Sequence, residues 1–304
     1  MRIRAPGPGD AERVTELVIA FDVEKYGEPD FELDDLVADW GSPGLDLDRD
    51  AWIVERPDGS LAAYAALHFN ENVEVYVDGA SRGLGIGSEL LRRSEERAVA
   101  RAEPGRRVLV GQALSSINQA GRKLLARAGY EEVRTYWRMT VPLDALPPPP
   151  QPPDGVVIRT FDPARDAQAT YAVVAAAFED NVRRHPFEPF EEWVAHEIDR
   201  KAFDPTLWLV AEQAGEIVGA VTCPDYATEA WVRQLAVAGS ARGRGVGRTL
   251  LLYAFAEFRR RGRTEGALVV DSWNRTGAKA LYESLGMRPE REHTRFEKEL
   301  RPAT

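Results

Sequence analysis

Trp231-Val232-Arg233-Gln234-Leu235-Ala236-Val237, then Arg242-Gly243-Arg244-Gly245-Val246-Gly247, then Arg248-Thr249-Leu250-Leu251: this stretch decides the fold. An apolar strand-like run leads through a short turn into a glycine loop, and the loop opens a helix. That order gathers unpaired backbone N–H groups and the positive end of a helix dipole at one spot, which is an anion site. Glycines there let the backbone approach a phosphate with no Cβ in the way. The same phrase stands earlier in the chain as Val73-Glu74-Val75-Tyr76-Val77, Arg82-Gly83-Leu84-Gly85-Ile86-Gly87 and Ser88-Glu89-Leu90-Leu91. A phosphate-bearing ligand is therefore expected.

The repetition extends outward from the two loops. Arg2-Ile3-Arg4 returns as Val157-Ile158-Arg159, each followed by a Pro-containing turn and an Ala/Val-rich helical stretch, Asp10–Asp22 and Ala164–Glu179. Ala51-Trp52-Ile53-Val54-Glu55 with Gly59-Ser60-Leu61-Ala62 returns as Leu207-Trp208-Leu209-Val210-Ala211 with Gly215-Glu216-Ile217-Val218, both read as strand, tight turn, strand. The stretch from Leu124 to Tyr130 matches that from Ala280 to Met287, a helix ended by a C-cap glycine and followed by a strand. Val108-Leu109-Val110 and Ala267-Leu268-Val269-Val270 suit central strands covered on both faces. The long helix after each glycine loop is then a βαβ crossover, which makes the strands on either side of it parallel. Each half reads strand, helices, three strands, helix, strand, helix, paired strands. Pro142-Leu143-Asp144-Ala145-Leu146-Pro147-Pro148-Pro149-Pro150-Gln151-Pro152-Pro153 between them should be extended polyproline II and semi-rigid. The expected division is a domain over residues 1–143, a linker over 144–154 and a second domain over 155–304.

The loop excludes two common phosphate motifs. A dinucleotide fingerprint needs a third glycine where Arg248 and Ser88 stand, and a Walker loop needs a lysine that neither copy has. Both copies instead carry R-G-x-G-x-G after a strand that is preceded by an antiparallel pair. This resembles the GNAT superfamily of acyl-CoA-dependent N-acetyltransferases, whose pyrophosphate loop is [QR]-x-x-G-x-[GA]. Arg242, Gly245 and Gly247 match it, as do Arg82, Gly85 and Gly87. The resemblance covers nearly the whole chain as a tandem pair and implies an α/β fold: two domains, each a mixed, splayed central sheet flanked by helices.

The same resemblance implies the site. The backbone from Gly243 through Arg244, Gly245, Val246 and Gly247 to Arg248 would hold the coenzyme A pyrophosphate. Leu235, Ala236 and Val237 would pair with the pantetheine arm like an added strand, and the N–H near Val237 would polarise the thioester carbonyl. Asn274 would touch the arm from the other side, and Tyr282 matches the family's general acid. In the first copy the corresponding cofactor-binding residues are Val75, Val77, Arg82, Gly83, Gly85 and Gly87. An amine that attacks a thioester needs to be neutral, its carbonyl activated and its leaving thiolate protonated, and a phenol is a competent donor to a thiolate.

The copies are not equal. Counted back from Gly129, the place of Tyr282 is taken by Leu125; counted forward from Asn118, it is Ala126. Neither donates a proton, so the first domain is expected to be non-catalytic. Glu74 lies where a carboxylate could accept a proton through water, while Gln234 fills that place in the second copy; Asp225 and Glu229 are the remaining acidic candidates there. The acidic stretch Glu24–Asp39 and the segment from Asp180 to His185 fall where the superfamily places its acceptor site.

Composition bounds the rest. The chain has 304 residues, 44% hydrophobic and 29% charged, as in ordinary globular proteins. Its formal net charge of −10 argues against general nucleic-acid binding and suits a cationic acceptor such as an amine. No apolar run has membrane length and the N-terminus lacks a secretory pattern, so no membrane association and a cytoplasmic location are expected. One cysteine, Cys223, rules out an intrachain disulfide framework, and four scattered histidines suggest no metal. The reading is an N-acetyltransferase with acetyl-CoA as co-substrate and a small-molecule primary amine as acceptor, a monomer or homodimer. Its layout is similar to that of the mycothiol synthases. The rival reading is a non-catalytic acyl-CoA-binding or regulatory protein.

Overall fold

A computed structural model describes the chain except residues 28, 30, 43, 69–70, 180–186, 227–229, 275 and 303–304. In the first half the elements are β1 (Arg2–Arg4), α1 (Ala11–Tyr26), α2 (Leu33–Trp40), α3 (Leu47–Asp50), β2 (Ala51–Glu55), β3 (Leu61–Leu67), β4 (Val73–Val77), α4 (Ile86–Arg101), β5 (Val108–Ser115), α5 (Gln119–Arg127) and β6 (Glu131–Pro142). The second half continues with β7 (Val156–Thr160), α6 (Pro163–Glu179), α7 (Phe190–Glu197), β8 (Leu209–Gln213), β9 (Glu216–Thr222), β10 (Ala230–Val232), β11 (Gln234–Val237), α8 (Val246–Arg260), β12 (Glu265–Asp271), α9 (Ala278–Ser284) and β13 (Arg288–Arg301). The mixed α/β architecture expected from sequence is the one observed.

Two compact units form, and they are interleaved along the chain: Met1–Arg134 with His293–Thr304, and Thr135–Glu292. These units differ from the sequence repeats. Within the first, the order is β1-β2-β3-β4, and β5 pairs antiparallel with the end of β13, His293 lying opposite Ser115. Within the second, the order is β7-β8-β9-β11; β12 has β10 on one side in parallel and the end of β6 on the other, Glu265 opposite Pro142. Each unit thus closes its sheet with a strand from the other half of the sequence. Where paired strands are expected after the last helix of each half, single long strands stand. Neither β6 nor β13 contains the Gly, Asn or Asp that a tight turn requires.

One matched pair needs shifting by a residue. Arg4 lies opposite Ile53 and Arg159 opposite Val210, so Trp52 is equivalent to Leu209, not to Trp208. A one-residue shift changes the face a side chain occupies. Trp208 is accordingly buried in the second unit's core, while Trp52 is half-buried.

Alternation and periodicity set the cores. In the second unit α8 buries Val246, Leu250, Leu251, Phe255 and Phe258 against β8 and β9, burial worth about 1.5–3 kcal/mol for each large side chain. The Pro-rich segment is anchored to this core: Leu143 and Leu146 are buried, and the Leu143 N–H donates to the Thr264 carbonyl at 2.8 Å. Leu143–Ala145 form a short 3-10 turn where extended backbone was expected, and the extended conformation stands at Leu146, with φ −80° and ψ 142°.

The same ionic knot ties the start of each unit. Arg4 grips Asp10 with two terminal nitrogens at 2.7 and 2.9 Å and reaches Glu55 at 2.7 Å. Arg159 grips Asp166 at 2.6 and 3.0 Å and reaches Glu212 at 2.8 Å. The guanidinium of Arg4 holds the Asp10 carboxyl down at about 2, against an ordinary value of 3.8. A carboxylate with a depressed folded-state value stabilises the fold above its unfolded-state value, and that contribution disappears as pH falls through the folded one. We therefore expect stability to the native chain from Asp10 to be complete above pH 3.8 and lost toward pH 2. In urea titrations over that range, Asp10→Asn should flatten the acid loss; a pH dependence identical to that of the native chain would contradict this.

Candidate active site

The second unit's site begins where a ladder ends. β10 pairs with β12 in parallel from Ala230↔Gly266 to Val232↔Leu268 and pairs no further, although β12 runs on to Asp271. Beyond a break at Arg233, β11 pairs on the other side with β9, Gln234 opposite Thr222 and Val237 opposite Gly219. One strand was expected here; two short ones stand, and the break separates the parallel strands. In an antiparallel ladder alternate residues face the partner. The Ala238 N–H donates to the Val218 carbonyl, so the even-numbered residues face β9, and Leu235 and Val237 turn their N–H and C=O the other way. The same holds in the first unit. The Asp78 N–H donates to the Ala62 carbonyl, so Val75 and Val77 face away from β3, and β5 touches this strand through the parallel bridge Asn72↔Gly111.

Both glycine loops are open. Gly243 and Gly245 have φ of +74° and +87°, Gly83 and Gly85 +78° and +81°, and a Cβ on any of them would meet nothing within 4 Å. Gly245 and Gly85 are the N-caps of α8 and α4, and neither helix end is capped by a side chain. Gly247 packs closely instead: a Cβ there would lie 3.4 Å from Val237 Cγ2. The arginine that opens each loop is a clamp. Arg242 Nε donates to the Val237 carbonyl at 3.0 Å, and Arg82 Nε to the Val77 carbonyl at 3.3 Å, folding the turn back on the strand. In the first unit Glu24 takes both terminal nitrogens of Arg82 at 2.6 Å each, so a phosphate there competes with a carboxylate for that guanidinium. Arg244 reaches Gln213 at 3.0 Å and the Asp154 carbonyl at 3.1 Å, and Arg248 reaches Ser284 on α9 at 3.3 Å; Val246 is buried.

Asn274 acts first on its own backbone. Its Oδ1 accepts from the Thr276 N–H at 2.9 Å and the Thr276 hydroxyl at 2.7 Å, setting the approach to α9. Asn118 likewise caps α5 through the Gly121 N–H at 3.0 Å. On α9, Tyr282 is buried, and burial pushes its phenol up, so it stays protonated through the neutral range. The helix ends decide which residue replaces it in the first unit. The Met287 N–H donates to the Tyr282 carbonyl at 3.1 Å and the Tyr130 N–H to the Leu125 carbonyl at 3.0 Å, which makes Leu125, not Ala126, the equivalent position.

The acidic candidates separate by environment. Gln234 is buried, its Oε1 3.4 Å from both Trp193 Nε1 and the Thr222 hydroxyl. Asp225 lies 3.4 Å from Arg263 and 3.8 Å from Arg261, as an ordinary turn carboxylate does. Glu229 and the segment from Asp180 to His185 lie outside the described residues. Glu74 sits 3.5 Å from His68 Nε2 and raises that imidazole. Sequence reasoning missed Glu197 on α7. It is buried against Arg233, the residue at the strand break, with Nε to Oε1 at 2.5 Å; burial pushes its carboxyl up while Arg233 opposes the shift. A lone Glu in the amphipathic run Phe190–Glu197 gives no signal, and only the break at Arg233 brings the two together. Burial also pushes the Cys223 thiol up, as fits a core residue. Among the described residues no cluster of His, Cys, Asp or Glu could hold a metal, and no helix is long and apolar enough to cross a membrane.

Residues 12–130 and 167–287 each match the model of the acetyltransferase (GNAT) family. The chain belongs to the GNAT family. A mycothiol acetyltransferase of Thermobispora bispora is 33% identical over 293 residues, which cover 92% of this chain and 92% of that one. Another, from Thermomonospora curvata, is 34% identical over 78% of this chain and 79% of its own. The crystal structure of a GCN5-related N-acetyltransferase from Sphaerobacter thermophilus covers 100% of this chain and 96% of that one, with a TM-score of 0.83 at 35% identity. A tandem GNAT protein from the clavulanic acid biosynthesis pathway shares the fold, with a TM-score of 0.70 at 15% identity. This protein is a tandem GNAT acyltransferase, of a family whose members use acetyl-CoA.

An open αL glycine at the head of α8 makes a sharp test. Gly245→Glu should cost only about 1–2 kcal/mol of backbone strain, because its Cβ meets no neighbour. It should weaken acetyl-CoA binding about tenfold or more by placing a carboxylate at the anion site. Equal affinity by calorimetry would refute the placement.

Proposed function

We propose that the protein transfers an acetyl group from acetyl-CoA to the primary amine of a small molecule, and that the second unit is where transfer occurs. The observation that carries this is Tyr282, a buried phenol on α9, in a unit whose parallel strands part beside an open glycine loop. Backbone amides from Gly243 to Arg248 would hold the pyrophosphate. The edge of β11, through Leu235, Ala236 and Val237, would take the pantetheine arm, and the Val237 N–H would polarise the thioester carbonyl. Asn274 has an Nδ2 to offer the arm while its Oδ1 holds the turn. The neutral amine nitrogen attacks the carbonyl, an amide C–N bond forms, the C–S bond breaks, Tyr282 gives its proton to the departing sulfur, and the proton shed by the nitrogen passes through water to restore the phenol.

The first unit keeps the loop through Arg82, Gly83, Gly85 and Gly87 and the strand edge through Val75 and Val77, but has Leu125 in place of the phenol. We assign it no acetyl transfer. A second reading narrows the activity: a relative named mycothiol acetyltransferase matches at 33% identity over 92% of the chain, which favours the mycothiol synthase alternative.

The test is release of free thiol from acetyl-CoA with a panel of amines. Tyr282→Phe should lower kcat about 100-fold at neutral pH while leaving acetyl-CoA affinity unchanged. An unaltered kcat across pH would remove Tyr282 from the mechanism. Binding of acetyl-CoA with no thiol released beyond background for any amine would favour the non-catalytic reading.

A further inference from the structure

Two side chains of α7, one helical turn apart, grip the two residues at which the strand of the second unit breaks. Trp193 and Glu197 share one face of that helix at i and i+4, and both are buried, at 0% and 2% exposure. The Trp193 indole N–H donates to Gln234 Oε1 at 3.4 Å, and Arg233 Nε donates to Glu197 Oε1. The helix is itself anchored. Trp193 packs against Tyr171 of α6 and against Trp208, with ring centroids 5.7 and 5.9 Å apart.

Successive residues of a regular strand point to opposite faces of its sheet. Arg233 and Gln234 are successive, yet both reach α7, so the backbone turns between them. The ladder agrees. The Arg233 N–H donates to the Thr222 carbonyl at 2.9 Å while Gln234 is the register partner of Thr222, so two residues oppose one, as in a β-bulge. A straight course would carry the chain on along β12 past Leu268 and pair main-chain groups that the break leaves without a strand. That course closes the gap and pulls one of the two side chains off α7. Of the two grips the ionic one is the stronger, since a charge-assisted hydrogen bond outweighs a neutral one at 3.4 Å. A buried carboxylate is costly unless paired, and among the described residues Glu197 forms its one salt bridge with Arg233. In the first unit Val73 stands in the place of Arg233, and β4 runs unbroken from Val73 to Val77.

We propose that Glu197 is a positioning residue: through Arg233 it holds the strand break that keeps the outward edge of β11 open for the pantetheine arm. This rests on the reading that the β11 edge takes that arm. Glu197 acts on neither the thioester nor the amine. Without it the chain between Val232 and Leu235 is free to straighten toward β12, and only the open fraction of molecules takes acetyl-CoA at this edge.

The test follows hydrogen exchange of the Leu235 and Val237 amides while the full chain is titrated with acetyl-CoA, which reads this edge apart from any binding to the first unit. The double variant Glu197→Leu/Arg233→Met removes both charges, and replacing a buried pair by apolar side chains leaves stability near native or raises it. Its melting temperature should match or exceed that of the native chain. Its midpoint for protection of the two amides should nevertheless rise about tenfold or more, as the open fraction falls. Glu197→Gln, which keeps the shape and one acceptor, should shift the midpoint by a smaller factor, about threefold. A pair that serves stability alone predicts a native midpoint wherever native stability returns, and that result in the double variant overturns the proposal. Should the double variant lose its melting transition, a native midpoint in Glu197→Gln overturns it instead. Absence of protection in the native chain overturns the edge reading and this proposal with it, whereas native protection unchanged in the variants overturns this proposal alone.

Discussion

The parallel ladder between β10 and β12 stops at Val232 and Leu268, and the chemistry proposed for the second unit depends on that stop. Buried N–H and C=O groups must be paired. Where β11 turns away to β9, Leu235 presents both groups and Val237 its N–H to a gap with no neighbouring strand, while the Val237 carbonyl accepts from Arg242 Nε. Such an edge accepts an extended chain through main-chain hydrogen bonds, as in β-augmentation. In the proposed reaction the helix dipole and the uncapped amides at the head of α8 would supply an anion site at one end of this edge, and α9 would supply Tyr282.

Much of this was legible in the sequence because it rests on local chemistry. R-G-x-G-x-G can be read because only glycine takes φ near +80° freely, and the loops adopt that conformation at Gly83, Gly85, Gly243 and Gly245. What was not legible is non-local. The break at Arg233 follows from pairing with β9 on one side and β12 on the other, and no residue in the run from Trp231 to Val237 announces it. The Trp52 and Trp208 shift hides behind a sequence likeness that the register contradicts. Exchange of the ends of β6 and β13 between units leaves no local trace at all, since either strand would read the same whichever sheet received it. Glu197 became a candidate only once its partner Arg233 was placed at the break.

The two units show how a duplicated fold diverges. Scaffold features are kept in both: the Arg–Asp–Glu knot, the arginine clamp on the strand carbonyl and an asparagine whose Oδ1 binds backbone N–H at the approach to the last helix. Groups bearing on chemistry differ. Tyr282 is matched by Leu125 in the other copy, and Gln234, hydrogen-bonded within a core, is matched by Glu74, which lines a cavity. The Arg82 guanidinium is engaged by Glu24, whose carboxyl it holds down at about 2.

Amide hydrogen exchange with and without saturating acetyl-CoA tests the central claim most directly. If the strand edge and the head of α8 are the binding surface, exchange should slow at Leu235, Val237 and from Gly243 to Arg248. Saturable binding with exchange at those amides unchanged would contradict it.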